Sequence, residues 1–341
     1  VTSIELNELN VDAVRAVLGD LLDIDVLSDD TNDLAAVCYR RTKGNAFFLL
    51  SFIYMIHDMG LLTYSLGGMR WIWDVPQIER ETAAADNVVA LTRSKIERQP
   101  VAVTQVLKVA SLFGASFSKG SLVTVCLAKE GTAFTNEEEL DECLKIAEVE
   151  GFLEHDVRRG TASQQHYYRW VHDKIQESAL SLLVDVRKES FDCGQILLDH
   201  WNTTRSPNNT SGGMNIFLIS DLLNRGTINM KEARRIEIAK LNLFAAERAV
   251  KVSAFQSSST FIAHGVDLLP SNKWTSETDL TLALYSIGAK VEETLGNTDR
   301  MEEYCTEVLN RPNVGIVAKT KVYRTMINSI ANRNRMTEAV E

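Results

Sequence analysis

Hydrophobic residues recur every three or four positions over much of this chain, which is the spacing of amphipathic helices. One such segment, Val11 to Leu18, follows Asn10, a residue type that caps helix starts. Others run from Asp30 to Arg41 and from Phe47 to Met59. Between residues 62 and 73 hydrophobic and polar positions alternate around a Gly-Gly pair, which predicts a β-hairpin. The pattern predicts a mainly α chain with a little β-structure.

After Pro100 the pattern becomes three helices followed by two strands. The helices are predicted at residues 102–113, 119–128 and 137–150, and the strands at 152–157 and 166–171. A polar connection over residues 158–165, which contains Arg158 and Arg159, joins the two strands. Three helices followed by a hairpin is the element order of a winged helix, so this segment predicts a winged-helix domain with a small β-hairpin.

The rest of the chain predicts helices in pairs, after a loop rich in Asn, Thr, Ser and Gly that starts at Asn202. The pairs cover residues 236–252 with 254–269, 278–295 with 299–310, and a last pair from about residue 316. Residues 296–301 resemble residues 331–336 at an offset of 35 positions, close to the tetratricopeptide period, whereas Pro270 and Pro312 are 42 positions apart. We therefore expect an irregular, tetratricopeptide-like α-helical array.

Composition narrows the functional classes. The 341 residues suffice for two or three domains, and a hydrophobic content of 45% supplies a sizeable core. The net charge of −10 argues against nucleic acid as the main partner, because phosphate binding relies on Lys and Arg. The 5 cysteines are far apart, which indicates a reducing, cytoplasmic setting without disulfide or metal frameworks. No apolar run reaches the length of a membrane helix, so no membrane partner is expected.

Candidate chemistry centres on Gly44, Asn45 and Ala46. Glycine permits a turn that other residues resist, and asparagine caps a helix, here the apolar helix that Ala46 opens. Such a junction directs free N–H groups and a positive dipole end toward one point, as backbones that bind nucleotides do. On spacing alone, an ordinary loop-to-helix junction is the commoner explanation of so short a motif.

The segment Thr42 to Phe48 resembles the T-x-G-N-P-F-F element in the helical lid of STAND-type AAA+ ATPases. The nearest resemblance is to the ATPase module of large signalling proteins that also contain kinase-like, GAF and histidine-kinase domains. In that family the proline after Gly-Asn lies against the bound nucleotide. Ala46 stands at this position and keeps the helix but lacks the rigid ring. The resemblance implies that Gly44, Asn45 and Ala46 face a nucleotide.

His172 is a second candidate. With Asp173 it suggests a metal or acid–base pair, but a buried histidine beside a helix-capping aspartate explains the two residues better, because no further ligands are near in sequence. The segment Arg169 to Ala179 resembles the family's R-F-V-H-D-R-I-Q-E-A-A segment in the winged-helix region. A histidine there can reach the β-phosphate of ADP and hold the closed state, so the resemblance implies a nucleotide contact for His172.

The parts that hold a triphosphate for hydrolysis are missing from the sequence. No G-x-x-x-x-G-K-[ST] loop occurs, and no apolar strand ends in paired carboxylates for magnesium. The family has these parts upstream of the point where this chain begins. The start at Val1 and an end within a predicted helix also suggest a piece of a longer protein. We therefore expect no catalytic residue, no metal site and no cofactor bound by this chain alone, with ATP or ADP and Mg²⁺ bound by an ATP-dependent, kinase-linked full-length protein.

Together these observations predict three domains: a helical lid of the AAA+ type at residues 1–99, a winged helix at 100–185, and the array at 186–341, truncated at its C-terminus. The chain would sense nucleotide state and bind neighbouring domains of the same protein, or a protein partner through the array. Two alternatives stay open. One is a helical-repeat scaffold beside a degenerate ATPase, which Ala46 favours. The other is a winged-helix transcription regulator that binds DNA through the wing containing Arg158 and Arg159.

Overall fold

A computed structural model describes residues 8–82, 88–129, 134–159, 164–204, 216–226, 230–312 and 314–332. Helices dominate these residues and the strands form two small sheets, which confirms the predicted mainly α class. Some predictions lie outside the described residues: the side chains of Arg158 and Arg159, most of the polar loop after Asn202, and the second copy of the proposed repeat after residue 332. No helix within the described ranges has both the length and the apolarity to cross a membrane.

The chain forms two compact units. Unit 1 contains residues 1–117 and 133–184, and unit 2 contains residues 118–132 and 185–341. Unit 2 therefore takes one helix from the middle of the predicted winged-helix segment. The division into three domains at residues 99 and 185 stays a prediction.

The first part of unit 1 is a small helical bundle with a hairpin. Its elements are α1 (Val11–Leu22), α2 (Asp29–Thr42), α3 (Ala46–Asp58), β1 (Leu62–Ser65), β2 (Arg70–Trp73), α4 (Val75–Glu81) and α5 (Val88–Glu97). Asn10, Ser28 and Asn45 cap the first three helices with their side-chain oxygens. The two strands pair antiparallel, with Leu62 opposite Trp73, as the alternation predicted. The short helix α4 was not predicted.

The apolar stripes of α1, α2 and α3 meet in one core. Leu18, Leu34, Leu49, Phe52 and Ile56 are almost wholly buried in it. These residues follow the three-to-four spacing seen in the sequence, so each helix buries one face. The core leaves the start of α3 at the edge of the bundle, where Ala46 is exposed and Asn45 half-buried.

The next elements are α6 (Val101–Leu112), β3 (Ser116–Ser118), α7 (Lys119–Ala128), α8 (Glu137–Val149), β4 (Leu153–Arg159), β5 (Gln164–Trp170) and α9 (Asp173–Leu180). The three helices and the hairpin are confirmed, whereas the short strand β3 was not predicted. The sheet order is β3-β5-β4, with β4 and β5 antiparallel from Leu153 opposite Trp170. Both strands extend into the predicted polar connection, to Arg159 and from Gln164. Helix α9 packs on α5 and α6.

Unit 2 is built mainly from helix pairs. It contains α7 and then α10 (Val186–Thr204), α11 (Ile216–Arg225), α12 (Glu232–Lys251), α13 (Phe255–Asp267), α14 (Lys273–Ser276), α15 (Thr278–Leu295), α16 (Thr298–Leu309) and α17 (Ile316–Asn332). Helix α10 packs on α11, α12 on α13, and α15 on α16. Helix α10 continues to Thr204, so the predicted start of a loop at Asn202 is wrong.

The pairs of unit 2 repeat at longer intervals than the sequence offset of 35 suggested. Their first helices begin at Val186, Glu232 and Thr278, each 46 residues after the one before. Part of the extra length before the third pair is α14, where Trp274 donates a hydrogen bond to Glu307 at 2.8 Å. The connection is therefore a packed insertion that lengthens the repeat.

Candidate functional site

The turn between α2 and α3 is built from consecutive backbone hydrogen bonds. Lys43 has a left-handed φ of 52° and donates its N–H to the carbonyl of Tyr39 at 2.7 Å, which ends α2. Gly44 has a φ of 79°, and Asn45 donates its N–H to the carbonyl of Thr42 at 3.1 Å. Two successive residues with positive φ end α2 and turn the chain into α3.

Gly44 is required by a close approach as well as by its backbone conformation. Its carbonyl accepts a hydrogen bond from the N–H of Leu9 at 2.8 Å. A Cβ atom at Gly44 would lie 1.9 Å from the carbonyl oxygen of Leu9, a distance that no side chain can accommodate. The packing of Leu9 thus explains why this position is a glycine. Leu9 occupies the space where a side chain of residue 44 would lie, so no ligand can approach Gly44 from that side. Nucleotide contact by Gly44 stays a prediction.

Asn45 caps α3 as predicted. Its Oδ1 accepts the N–H of Phe48 at 3.2 Å, and its carbonyl accepts the N–H of Leu49 at 2.9 Å. Ala46 is the first residue of the helix and is exposed. The cap uses Oδ1 of Asn45, so a contact between this turn and a ligand would use the Nδ2 amide of Asn45 or the backbone at Ala46 and Phe47.

His172 lies at the start of α9, directly after strand β5. Its Nδ1 accepts the backbone N–H of Lys174 at 3.1 Å, and the histidine is itself the N-cap. The prediction that Asp173 caps this helix is therefore wrong. Asp173 is the first helical residue and is exposed, where its negative charge is favourable at the positive end of the helix dipole.

Two aromatic side chains of α3 bring the turn and His172 together within unit 1. The ring of Phe47 stacks on the imidazole of His172, with centroids 4.4 Å apart and planes 11° apart. Phe48 contacts the same imidazole with centroids 5.3 Å apart and planes 56° apart. The segment that contains Gly44, Asn45 and Ala46 therefore neighbours His172 through Phe47 and Phe48, although the two are far apart in sequence. Sequence reasoning assigned Phe47 and Phe48 to an apolar helix and missed their contact with His172; the only signal was two aromatics directly after a cap.

The hydrogen bond to Nδ1 determines what His172 can do chemically. An imidazole nitrogen that accepts an N–H must carry a lone pair, so the proton of the neutral ring is on Nε2. The half-buried ring can then donate from Nε2 to an oxygen of a ligand. Lys43 and Lys174 are the nearest cationic residues in sequence, and Lys174 forms an ion pair with Glu177. A ring that donates from Nε2 suits an oxygen acceptor.

A second histidine stack lies on the β4–β5 hairpin, where the exposed His155 stacks on His166 and Tyr168 and shares a hydrogen bond of 2.9 Å with His166. No group of three or more His, Cys, Asp or Glu residues in the described part of the chain is arranged to hold a metal ion. All five cysteines are buried and unpaired with one another. Burial raises the pKa of Cys38, Cys193 and Cys305 to about 12, which makes these thiols poor nucleophiles.

Comparison with known proteins gives one distant likeness. The chain is 24% identical over 339 residues to hybrid signal transduction histidine kinase G of Dictyostelium discoideum. The match covers 83% of this chain and 10% of that protein, so the chain spans about a tenth of the length of this relative. No family model matches the chain, and no solved structure matches it significantly.

Proposed function

We propose that this chain is the nucleotide-state-sensing and protein-interaction part of a STAND-type AAA+ ATPase within a kinase-linked signalling protein. The observation that carries the proposal is the stack of Phe47 on His172, since it joins the two segments that resemble this family. The likeness to a hybrid signal transduction histidine kinase is consistent with a signalling role. ATP or ADP with Mg²⁺ would be held mainly by residues upstream of this chain.

In this proposal residues 1–99 form the lid, and residues 100–185, which include the segment from α6 to β5, form a winged helix. A helix, a short strand, two helices and a hairpin follow one another in that segment, and β3 lies beside β5 in the sheet. This order supports the winged-helix assignment. A phosphate oxygen of ADP would accept a hydrogen bond from Nε2 of His172. Loss of ADP, or its replacement by ATP, would shift the population between the closed and open arrangements.

The helix pairs of unit 2 would bind a protein partner or a neighbouring domain. Stacked helix pairs present extended surfaces for such contacts. Three successive pairs with a constant interval between their first helices support this part of the proposal. The alternative of a scaffold beside a degenerate ATPase differs only upstream, and an intact phosphate-binding loop there would count against it.

The charge of α8 disfavours DNA binding by the winged helix. Helix α8 directly precedes the hairpin, and in DNA-binding winged helices the helix at this position enters the groove of the DNA. The acidic residues of α8 outnumber its single basic residue, Lys145. They are Glu137, Glu138, Glu139, Asp141, Glu142 and Glu148. Such a helix is repelled by phosphates. Absence of duplex binding at low salt is the expected result, and salt-dependent duplex affinity would revive the DNA-binding alternative.

The proposal is tested by ADP binding to the full-length protein. His172→Asn keeps a side chain that caps helices but removes the proposed donor. We expect ADP affinity to fall about tenfold or more, the usual effect of losing a hydrogen bond to a charged group. His57→Asn is the matched control, because His57 is exposed at the other end of α3. Unchanged ADP affinity in His172→Asn would refute the proposed contact.

A further inference from the structure

The imidazole of His172 is held in two independent ways. The hydrogen bond from the N–H of Lys174 selects Nδ1 as the acceptor. The stack on Phe47 orients the plane of the ring. The second constraint matters because rotation about χ2 of a histidine is otherwise broad. Without the stack, the ring could rotate away from the cap and exchange its tautomer.

Phe47 is also close to the turn that precedes α3. It is the second residue of α3, and the next residue, Phe48, donates its N–H to the cap Asn45. A movement of the His172 ring would therefore change contacts in the first turn of α3. The aromatic contact is thus a direct mechanical connection between the two elements of unit 1 that resemble nucleotide-binding segments.

We propose that Phe47 is a positioning residue that holds His172 with its Nε2–H directed to an anionic oxygen acceptor and couples that histidine to the start of α3. The inference rests on the proposed function for the identity of the acceptor as a phosphate oxygen. It also states a ligand class: in this tautomer Nε2 has no lone pair, so the ring donates to an acceptor and does not coordinate a metal ion.

The first test examines the ring itself, without any nucleotide. The 341-residue chain is labelled with ¹⁵N at its 6 histidines, and the signals of His172 are assigned with His172→Asn. We expect ring nitrogen shifts of the Nε2–H tautomer and carbon-bound ring protons shifted upfield by the Phe47 ring. Phe47→Leu should reduce the upfield shift to the part that Phe48 contributes and mix the tautomers, whereas Phe47→Tyr should preserve the full shift and the single tautomer. Tyr54→Leu, at an exposed position of the same helix, is the control.

The second test measures ADP release from the full-length protein. Phe47→Leu should speed release about 2- to 10-fold, the range expected for loss of an aromatic stack, and Phe47→Tyr should restore the wild-type rate. Faster release together with a reduced ring-current shift supports the inference. An unchanged His172 spectrum in Phe47→Leu overturns it.

Two further outcomes separate the inference from the proposed function. If His172→Asn weakens ADP binding but Phe47→Leu leaves release unchanged, the nucleotide contact stands and the coupling through Phe47 is overturned. If the spectrum responds to Phe47→Leu but neither variant alters ADP binding or release, Phe47 is supported as the residue that positions the ring, and the nucleotide function is overturned.

Discussion

Two pairs of polar side chains, one pair in each unit, find their hydrogen-bond partners in different ways. In unit 1, Asn45 and His172 lie at helix starts, are half-buried, and accept backbone N–H groups. In unit 2, Asn242 and Glu292 lie within helices and are fully buried. Asn242 exchanges two hydrogen bonds of 2.8 Å with Asn224, and the carboxylate of Glu292 accepts hydrogen bonds from Ser259 and Asn297.

The difference distinguishes a site from a scaffold. A half-buried group can exchange its partner for a ligand or water at little cost, whereas a buried group left without a partner pays its full desolvation penalty. The buried pairs of unit 2 therefore hold one arrangement of helices. The stack of Phe47 on His172 belongs to the kind of contact that a ligand can change. Four predictions test this contrast.

The largest effect is expected at Gly44. Gly44→Ala adds strain at a φ of 79° and a clash with the backbone of Leu9, which has no flexible end that could move. We expect the free energy of unfolding of unit 1 to fall by about 3 kcal/mol or more, which is the range for severe substitutions with a clear steric cause. Hydrogen exchange of the α2 and α3 amides measures it within unit 1.

The control for Gly44 is Gly60→Ala. Gly60 has a φ of 71°, and a Cβ atom there would have no neighbour within 4 Å. Gly60→Ala should lower the free energy of unfolding by about 1 kcal/mol, which is the strain of the left-handed conformation alone. Equal losses at the two glycines would mean that the approach of Leu9 contributes nothing.

The second effect concerns the buried amide pair of unit 2. Asn242→Ala leaves Asn224 without this partner and should lower the free energy of unfolding of unit 2 by about 2 kcal/mol. Replacing both residues with leucine should recover part of this loss, because both unsatisfied groups are removed. A double variant as unstable as the sum of the single variants would contradict the contrast between the units. Hydrogen exchange in α11 and α12 provides the measurement.

The third effect is the cap of α3. Asn45→Ala removes the acceptor of the Phe48 N–H and should cost about 1 kcal/mol, with Asn45→Asp close to wild type because aspartate caps equally well. The loss should be smaller than that of Asn242→Ala, since water can replace the cap. A larger loss at Asn45, seen as faster exchange of the first α3 amides, would reverse the comparison.

The smallest effect is a pH dependence at Glu307. Partial burial alone would raise its pKa, but hydrogen bonds from Trp274 and Arg311 outweigh burial and hold the pKa below its usual value. A carboxyl group whose pKa is lowered by folding stabilises the fold fully when the pH is above its pKa in the unfolded chain, about 4.3. This stabilisation is lost as the pH falls through the pKa of the folded state. At pH 7 we therefore expect unit 2 of the wild type to be slightly more stable than that of Glu307→Gln.

Thermal unfolding at several pH values measures this difference. The gap between wild type and Glu307→Gln should close as pH falls below about 4, near the ordinary pKa of glutamate. Glu303→Gln is the control, since Glu303 is exposed on the same helix. A gap that is constant with pH would show that the Glu307 variant acts through packing and not through charge.

Much of the fold was predictable because its signals are local. Asn10 and Asn45 were expected as caps and are caps, and the β1–β2 hairpin was expected from its alternation. Each depends on contacts within a few residues. The predicted cap at Asp173 was wrong by one position, because Nδ1 of His172 accepts the N–H of Lys174 and the helix begins one residue earlier.

The sequence by itself determined the mainly α class, the helix starts and the residue types at the two candidate segments. Only the tertiary structure decided that Phe47 stacks on His172, that Leu9 lies against Gly44, and that α7 belongs to unit 2. The reason is physical: caps and periodicity act over one or two helical turns. Contacts between distant segments depend on which surfaces the whole core brings together.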